Sequence, residues 1–353
     1  MRAVAVPPPR VLGPGRTGAG HAPCHHGEIL QGFFRDPAGR PRAGLVTLPV
    51  PGPGSRARFV PRPGSAPDAV TVTPADRTKA LRAARLAVEE CARGTGTPVC
   101  GGELRMGGSL PVGLGMGSSS SDVLAALRAV ADAFGADLDA DTLASLAVRA
   151  EGASDPLMLD GRPVLFAQRE GRVLEVLGEA LPPVVVVGCT LGGGRPVDTL
   201  ALAGRDLSPG SDGVAELDAY ERLLDLLRQA VREADPVLLG RVATASARLG
   251  RRRLAHPEFP ALVEVAERLG AVGVQVAHSG NVAGLLLDPS GGGLRRRVRG
   301  CARALTALGL PVTRIFATYG PAAPPALPYS PCPSPHSSPR TSLRNGALSW
   351  TRT

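Results

Sequence analysis

The feature that most constrains the fold of this chain is a glycine-rich loop that runs directly into an amphipathic helix, over residues 110–135. Four serines and an aspartate, residues 118–122, follow the last glycine of the loop, and these residue types favour helix starts. Glycine lets the backbone adopt positive φ and lets a ligand approach its amides closely. The loop glycines stand at alternate positions: Gly113, Gly115 and Gly117. Apolar residues then recur at helical spacing until Gly135, which predicts where the helix ends.

Such a loop is a candidate binding site for an anion. The free N–H groups of a first helical turn and the positive end of the helix dipole both face the loop. A nucleotide phosphate is the anion that best suits so open a loop. The alternative interpretation is a flexible connection in front of an ordinary core helix.

Three common phosphate loops do not fit this sequence. A Walker loop needs a lysine before Ser or Thr, but Lys79 is the single lysine of the chain and lies elsewhere. The catalytic His-Arg-Asp and Asp-Phe-Gly sequences of protein kinases are absent. A dinucleotide-binding loop has a different glycine spacing, Gly-x-Gly-x-x-Gly directly after a strand.

The loop does resemble another family. Residues 111–120, Pro-Val-Gly-Leu-Gly-Met-Gly-Ser-Ser-Ser, are similar to the Pro-x-x-x-Gly-Leu-Gly-Ser-Ser-Ala loop of the GHMP kinases, with Met116 where leucine is usual. Residues 23–32 resemble the first motif of that family in the form found in L-threonine kinases of cobalamin and propanediol metabolism, Pro-x-x-x-Gly-Glu-Leu-Leu-Gln-Gly. Residues 273–287 resemble the third motif, with Ala-His-Ser-Gly at its turn.

The resemblance covers about residues 18–319 and implies a two-domain α+β fold. The expected N-terminal ATP-binding domain, residues 18–180, resembles domain 2 of ribosomal protein S5, and the expected C-terminal domain, residues 181–319, is ferredoxin-like. Residues 1–17 and the Pro- and Ser-rich residues 320–353 lack periodicity and are predicted to be disordered tails.

Periodicity and breakers predict the other elements. Strands are expected at residues 45–50, 56–60, 70–73, 102–106 and 183–189. Helices are expected at residues 77–93, 141–150, 211–234, 237–249 and 294–308. The helix at 141–150 is expected to be capped by Asp141 or Thr142. Asp160, which a glycine follows, is expected to form a hairpin turn.

The resemblance also implies the site residues. ATP would be bound by the loop: Pro111, Gly113, Gly115, Met116, Gly117, Ser118, Ser119 and Ser120. Mg²⁺ would be held by Ser119 and Glu151, and Asp155 would orient or deprotonate the attacking hydroxyl. The substrate would meet residues of the first and third motifs and of the Val-Asp-Thr stretch: Glu28, Gln31, Asp198, Thr199, His278, Ser279 and Gly280.

Several of these residues could instead have a purely structural role. Asp155, which precedes a proline, could simply cap a turn, and one residue is inserted between it and Glu151 relative to the Glu-Pro-Thr-Asp of threonine kinases. Asp198 with Thr199 could form a turn and a helix cap. His278 by itself is more typical of a buried histidine than of a catalytic one. Lys79 is more typical of a solvated surface residue than of a nucleotide contact. A metal site at residues 24–28, Cys-His-His-Gly-Glu, is disfavoured because adjacent ligands without a second cluster rarely close a tetrahedral site.

The function implied by the resemblance is ATP-dependent phosphorylation of a small hydroxylated amino acid, with L-threonine giving O-phospho-L-threonine as the first candidate. The alternatives are a kinase of the same fold for another small alcohol and a catalytically silent nucleotide-binding sensor. The expected cofactors are ATP and Mg²⁺. The expected partner is a small molecule, rather than nucleic acid or a membrane, and a homodimer is left open.

Charge and cysteine usage bound the remaining possibilities. The net charge is +9, but the arginines are dispersed and aromatic residues make up 3%, which disfavours nucleic-acid binding and still suits a nucleotide. The six cysteines show no Cys-x-x-Cys spacing, and neither a signal peptide nor a long apolar run is visible. These features predict reduced thiols and a cytoplasmic protein.

Overall fold

A computed structural model describes residues 16–108, 116–192, 213–250, 256–277 and 281–318 of the chain. Its elements form two β-sheets, each covered by helices. The strands are β1 (Gly18–Arg35), β2 (Pro41–Arg62), β3 (Val70–Thr73), β4 (Gly101–Gly107), β5 (Val164–Ala167), β6 (Arg172–Val176), β7 (Val185–Thr190), β8 (Gly273–Val276), β9 (Val282–Leu287) and β10 (Val312–Ala317). The helices are α1 (Thr78–Thr95), α2 (Ser118–Phe134), α3 (Ala140–Glu151), α4 (Gly213–Glu233), α5 (Pro236–Gly250), α6 (Phe259–Leu269) and α7 (Leu294–Ala307).

The first sheet has the strand order β3-β4-β2-β5-β6, with β1 paired to β2. The β1–β2 pair is a long antiparallel hairpin, and β2 continues through the two separate strands that the sequence predicts at residues 45–50 and 56–60. The β3–β4 pair is parallel, as the crossover through α1 requires. Helices α1, α2 and α3 cover this sheet with an alanine-rich core.

Small residues allow α2 to lie very close to β1. A Cβ on Gly20 would lie 2.0 Å from the carbonyl oxygen of Ala125, and one on Gly18 would lie 2.1 Å from that of Ala129. Any larger side chain on this stretch of β1 would push the helix away from the sheet. The packing therefore sets how closely residues 125–133 of α2 approach β1.

The second sheet has the order β10-β7-β9-β8, and all its pairs are antiparallel. Helices α4 to α6 lie between β7 and β8 in the chain, and α7 lies between β9 and β10. This β-α-β-β-α-β order confirms the ferredoxin-like C-terminal half and, with the first sheet, the α+β fold class. The hairpin predicted around residues 273–287 is present as the β8–β9 pair.

The two sheets share part of one core. A cluster that includes Leu30 and Leu48 of the first sheet also contains Tyr220 of α4 and Phe316 of β10. The predicted division at residues 180/181 falls between β6 and β7, and it stays a prediction. The shared cluster holds β1 against the second sheet, so that the first and third motifs face each other.

Two local predictions need correction or refinement. Helix α3 is capped by Asp139, whose carboxylate accepts a hydrogen bond of 2.8 Å from the Thr142 N–H, rather than by Asp141 or Thr142. The cap lies earlier because Asp139 has the extended backbone that a capping residue requires, while the helix has already begun at Ala140. Asp160 lies in a turn with a left-handed backbone (φ 53°), but the turn is not that of a hairpin, because a 3₁₀ helix (Leu157–Leu159) rather than a strand precedes it.

The five cysteines within the described residues are buried and form no disulfide: Cys24, Cys91, Cys100, Cys189 and Cys301. Among the described helices, none is both long enough and apolar enough to cross a bilayer.

Candidate active site

The start of α2 forms one wall of the candidate site. Of the predicted ATP-binding loop, Pro111, Gly113 and Gly115 lie outside the described residues, whereas Met116 to Ser120 are described. Gly117 has a left-handed backbone (φ 64°, ψ 22°) and directly precedes the helix, which begins at Ser118, within the serine run that favours a helix start. The first N–H groups of an α-helix have no acceptor within the helix. The helix thus directs its first N–H groups, which have no acceptor within the helix, and its positive dipole end at this wall.

Two serines of the first turn of α2 bind one buried carboxylate. The Ser119 hydroxyl donates to Glu151 Oε2 at 2.7 Å, and the Ser120 hydroxyl donates to Glu151 Oε1 at 2.8 Å. Glu151 is the last residue of α3. Burial raises the pKa of its carboxyl group, and the two hydroxyls and Lys79 oppose that rise.

Lys79, in the first turn of α1, also belongs to this wall. Its Nζ lies 3.8 Å from Glu151 Oε2, and its side chain is 29% exposed. The sequence favoured a solvated surface position for this residue, and the structure instead places its ammonium group beside a buried carboxylate. The single lysine of the chain therefore faces the predicted metal-binding pair.

Asp155 lies beside the same serines. Its backbone N–H donates to the Ser120 hydroxyl at 3.3 Å, and its Oδ2 lies 2.9 Å from Nε2 of His25. Burial by itself would raise the pKa of the Asp155 carboxyl, but the charge and hydrogen bond of His25 outweigh burial and lower it. The carboxylate is 19% exposed, while the imidazole is 1% exposed.

An irregularity in β1 brings His25 and Glu28 to the same side. In a regular strand, residues three apart point to opposite faces. The β1–β2 register shifts between His25 and Glu28, and Gly27 between them has a left-handed backbone (φ 65°). An added residue of this kind re-aims the side chains that follow it. As a result, a ring nitrogen of His25 and one carboxylate oxygen from each of Glu28 and Asp155 lie within 4.8 Å of one another.

The third motif reaches the loop from the second sheet. Met116 packs in a small apolar cluster with Ala277 at the end of β8 and Val282 at the start of β9. The predicted substrate residues His278, Ser279 and Gly280 lie between these two and are outside the described residues, as are Asp198 and Thr199. The described ends of the hairpin, Ala277 and Val282, lie next to the start of α2.

Gln31 lies further along β1 than Glu28. Its backbone N–H donates to the Ser246 hydroxyl of α5 at 3.2 Å. Within the part of the chain that the structure describes, its side-chain Oε1 is buried and has no hydrogen-bond partner. The contact of Gln31 with a substrate stays a prediction.

The donors at this site suit Mg²⁺. A hydroxyl and a carboxylate oxygen, from Ser119 and Glu151, lie 2.7 Å apart beside a helix N-terminus. Oxygen is the ligand atom that Mg²⁺ prefers, and the ion usually takes one or two protein ligands together with phosphate oxygens. The sulfur and imidazole groups of Cys24 and His26 are directed elsewhere. Cys24 is in the shared core, and His26 Nδ1 lies 3.0 Å from Gln275 Oε1.

Two features of the site escaped the sequence interpretation. The sequence indicates His25 only as one ligand of a disfavoured metal site. It indicates Lys79 as a solvated surface residue, with a nucleotide contact as the alternative. For His25, the signal was its place two residues after the motif proline, in the same stretch as Glu28. Its pairing with Asp155, 130 residues away, was not visible without the fold.

These features define a two-domain α+β protein with a candidate nucleotide site at a helix N-terminus. Comparisons with known proteins agree with that class. Residues 79–159 match the family described as GHMP kinases N terminal domain. The structure is similar to that of homoserine kinase from Cytophaga hutchinsonii, with a TM-score of 0.61 over 86% of this chain and 94% of that one, at 16% identity.

Two curated relatives match part of the chain. L-threonine kinase from Citrobacter freundii is 30% identical over 181 residues, which is 51% of this chain and 60% of that enzyme. A 4-diphosphocytidyl-2-C-methyl-D-erythritol kinase from Rhizobium leguminosarum is 31% identical over 150 residues, 41% of this chain and 49% of that enzyme. The matches thus span about half to three fifths of the length of these relatives. The chain is thus similar to the GHMP kinase N-terminal domain over residues 79–159, and its fold is similar to that of homoserine kinase.

Proposed function

We propose that this chain is a small-molecule kinase that transfers the γ-phosphoryl group of ATP to the hydroxyl of a small amino acid, with L-threonine as the first candidate. The observation that carries the proposal is the convergence of three groups at the start of α2. The Ser119–Glu151 pair, the Asp155 carboxylate and the free amides of the helix all meet there. The similarity to L-threonine kinase from Citrobacter freundii supports the choice of substrate.

The residues have separate tasks in the proposed reaction. The amides of Gly117 to Ser120 and the dipole of α2 would bind the phosphates, as helix N-termini do. Ser119 and Glu151 would hold Mg²⁺, which neutralises charge on the phosphate oxygens when it is bound. Glu28 is 2% exposed at the same end of β1, where a carboxylate can hold a substrate ammonium group.

Asp155 would accept the hydroxyl proton. As the hydroxyl oxygen bonds to the γ-phosphorus, the bond from that phosphorus to the β–γ bridging oxygen breaks and ADP leaves with the electron pair. The lowered pKa of Asp155 keeps its carboxylate ionised near neutral pH, which is the state that can accept a proton. Positioning and charge stabilisation supply most of the rate enhancement in reactions of this class.

A second candidate is phosphorylation of a different small alcohol. It is favoured by the similarity of the chain to a 4-diphosphocytidyl-2-C-methyl-D-erythritol kinase, at an identity close to that of the threonine kinase match. The two candidates share the ATP site and differ only in the acceptor. A silent nucleotide-binding sensor would bind ATP at the same wall without turnover.

A substrate panel tests the proposal. Purified protein with ATP and Mg²⁺ should release ADP with L-threonine and not with buffer alone, while L-serine, L-homoserine and a cytidyl-linked alcohol serve as competitors. Release with another alcohol but not threonine would select the second candidate, and ATP binding without release would select the sensor.

Ser119→Ala tests the metal pair in the same assay. We expect it to raise the Mg²⁺ concentration needed for half-maximal rate by about 10-fold or more, as loss of a metal-site partner typically does. Ser145→Ala, an exposed serine on α3, is the control and should behave as wild type. Equal Mg²⁺ dependence in all three proteins would remove Ser119 from the site.

A further inference from the structure

His25 has no role in the reaction as proposed so far, yet its side chain is buried and has a partner at each ring nitrogen. Its Nε2 lies 2.9 Å from Asp155 Oδ2 and its Nδ1 lies 3.2 Å from the Gly27 carbonyl oxygen. The ring is also bounded by Gly117, where an added Cβ would lie 2.3 Å from Cδ2. The imidazole therefore cannot rotate away from Asp155 without a change in the backbone around it.

Both ring nitrogens of His25 face acceptors. A backbone carbonyl can only accept a hydrogen bond, so Nδ1 must carry a proton. An ionised carboxylate also only accepts, so Nε2 must carry one as well. An imidazole with protons on both nitrogens is a cation, and it cannot take another proton from a substrate. This geometry excludes His25 as the base and leaves it as the charged partner of Asp155.

The surrounding charges favour the same state. Burial by itself lowers the pKa of His25, but the charge and hydrogen bond of Asp155, the charge of Glu28 and the Gly27 carbonyl raise it to about 9. On the Asp155 side, Lys79 of α1 also favours the ionised carboxylate, whereas Glu151 of α3 is a like charge. His26, the neighbouring residue of β1, is itself held neutral by burial, which lowers its pKa to about 4.

We propose that His25 is a positioning residue for phosphoryl transfer, and that its imidazolium keeps Asp155 ionised and fixed while Asp155 accepts the hydroxyl proton. In this step the proton leaves the substrate oxygen for Asp155, and His25 retains both of its own protons. The inference rests on the proposed kinase function, because it assigns the partner of the base in that reaction. It also adds a dependence on pH that the kinase function alone does not require.

The role predicts an upper limit as well as a lower limit of pH for activity. Below the pKa of Asp155 the base is protonated. Above about pH 9 His25 loses a proton, and the buried carboxylate loses the charge that balances it. A cation next to an aspartate lowers its pKa by about 1–3 units, so removal of the charge should move the acid limb upward by a similar amount.

Three variants separate charge from shape. His25→Gln keeps an amide donor for Asp155 but carries no charge, and His25→Lys keeps a charge. His21→Gln is the matched control, because His21 lies on the same strand and is exposed. Circular dichroism spectra establish that each variant is folded before the kinetics are compared.

We expect His25→Gln to lower kcat by about 100-fold, the lower end of what proton-transfer groups contribute, with KM for ATP changed less than 3-fold. Its acid limb should move upward by at least one pH unit, and His25→Lys should restore the wild-type acid limb and part of kcat. An unchanged pH profile in His25→Gln would overturn the positioning role. A higher KM for ATP with an unchanged kcat would overturn it as well.

A second measurement does not depend on activity. In ¹H–¹⁵N NMR spectra, the imidazole signal that disappears in His25→Gln should titrate near pH 9 in wild type and well below that in Asp155→Asn. A His25 signal that titrates near 6.5 overturns the inference even if the kinase is active. A signal near 9 in a protein that phosphorylates no alcohol upholds the ion pair and refutes the proposed function instead.

Discussion

The most informative single substitution in this protein is Gly117→Ala. Gly117 has φ 64°, a backbone conformation that costs an L-residue roughly 1–2 kcal/mol. The new methyl would also lie 2.3 Å from Cδ2 and 2.4 Å from Nε2 of His25. No real Cβ approaches a heavy atom so closely, so either the loop or the imidazole must move.

The imidazole cannot move at low cost. It is 1% exposed and is held at both nitrogens, and the His25 backbone N–H donates to the Met116 carbonyl at 3.3 Å. Overpacking of such a site costs about 1–3 kcal/mol. Added to the backbone cost, Gly117→Ala should destabilise the fold by about 2–5 kcal/mol.

Gly96→Ala is the matched control. Gly96 follows α1 with φ 67°, and an added Cβ there meets nothing within 4 Å. It should therefore show only the backbone cost, about 1–2 kcal/mol. Urea unfolding followed by circular dichroism measures both free energies. The double variant Gly117→Ala/His25→Ala lacks the imidazole and is compared with His25→Ala. In that background, the loss of unfolding free energy caused by Gly117→Ala should fall to the loss caused by Gly96→Ala.

The reasoning is refuted if Gly117→Ala and Gly96→Ala destabilise the protein equally, within about 0.5 kcal/mol, which is the scatter expected for independent sites. It is also refuted if the cost of Gly117→Ala is the same with and without the His25 imidazole. Either result would mean that the loop and β1 do not touch as described.

Two further predictions concern stability. Asp139→Ala should lower the free energy of unfolding in urea by about 0.5–2 kcal/mol, because the Thr142 N–H loses its acceptor. Asp139→Asn should retain most of that stability, and equal losses in the two variants would contradict the cap. The neighbouring histidines should have opposite effects on the pH dependence of unfolding. His25, with its pKa raised to about 9, contributes stability that is fully present below about pH 6.5 and is lost as the pH rises through 9. His26, with its pKa lowered to about 4, has the reverse effect, so stability falls as the pH drops from 6.5 towards 4. His25→Gln should flatten the alkaline slope and His26→Gln the acid slope, and wild-type slopes in both variants would show that neither histidine is held as described.

The amino-acid sequence by itself determined the local features of this protein. The alternate glycines and the serine run predicted where α2 begins, and periodicity predicted most helices to within a few residues. These signals are local, because helix starts depend on side chains within one turn of the backbone they cap. The order of the motifs also predicted the α+β fold, through the resemblance to the GHMP kinases.

Only the tertiary structure decided which side chains meet at the site. His25 and Asp155 are 130 residues apart, and Ser119 and Glu151 are 32 apart, so no local pattern links them. The irregularity at Gly27 turns His25 and Glu28 to the same side, which strand alternation alone would forbid. The close packing of α2 on the small residues of β1, together with the hydrogen bond from the His25 N–H to the Met116 carbonyl, then holds the helix against that strand. A charge pair depends on distances of a few ångströms between remote segments, and those distances exist only after the core has packed.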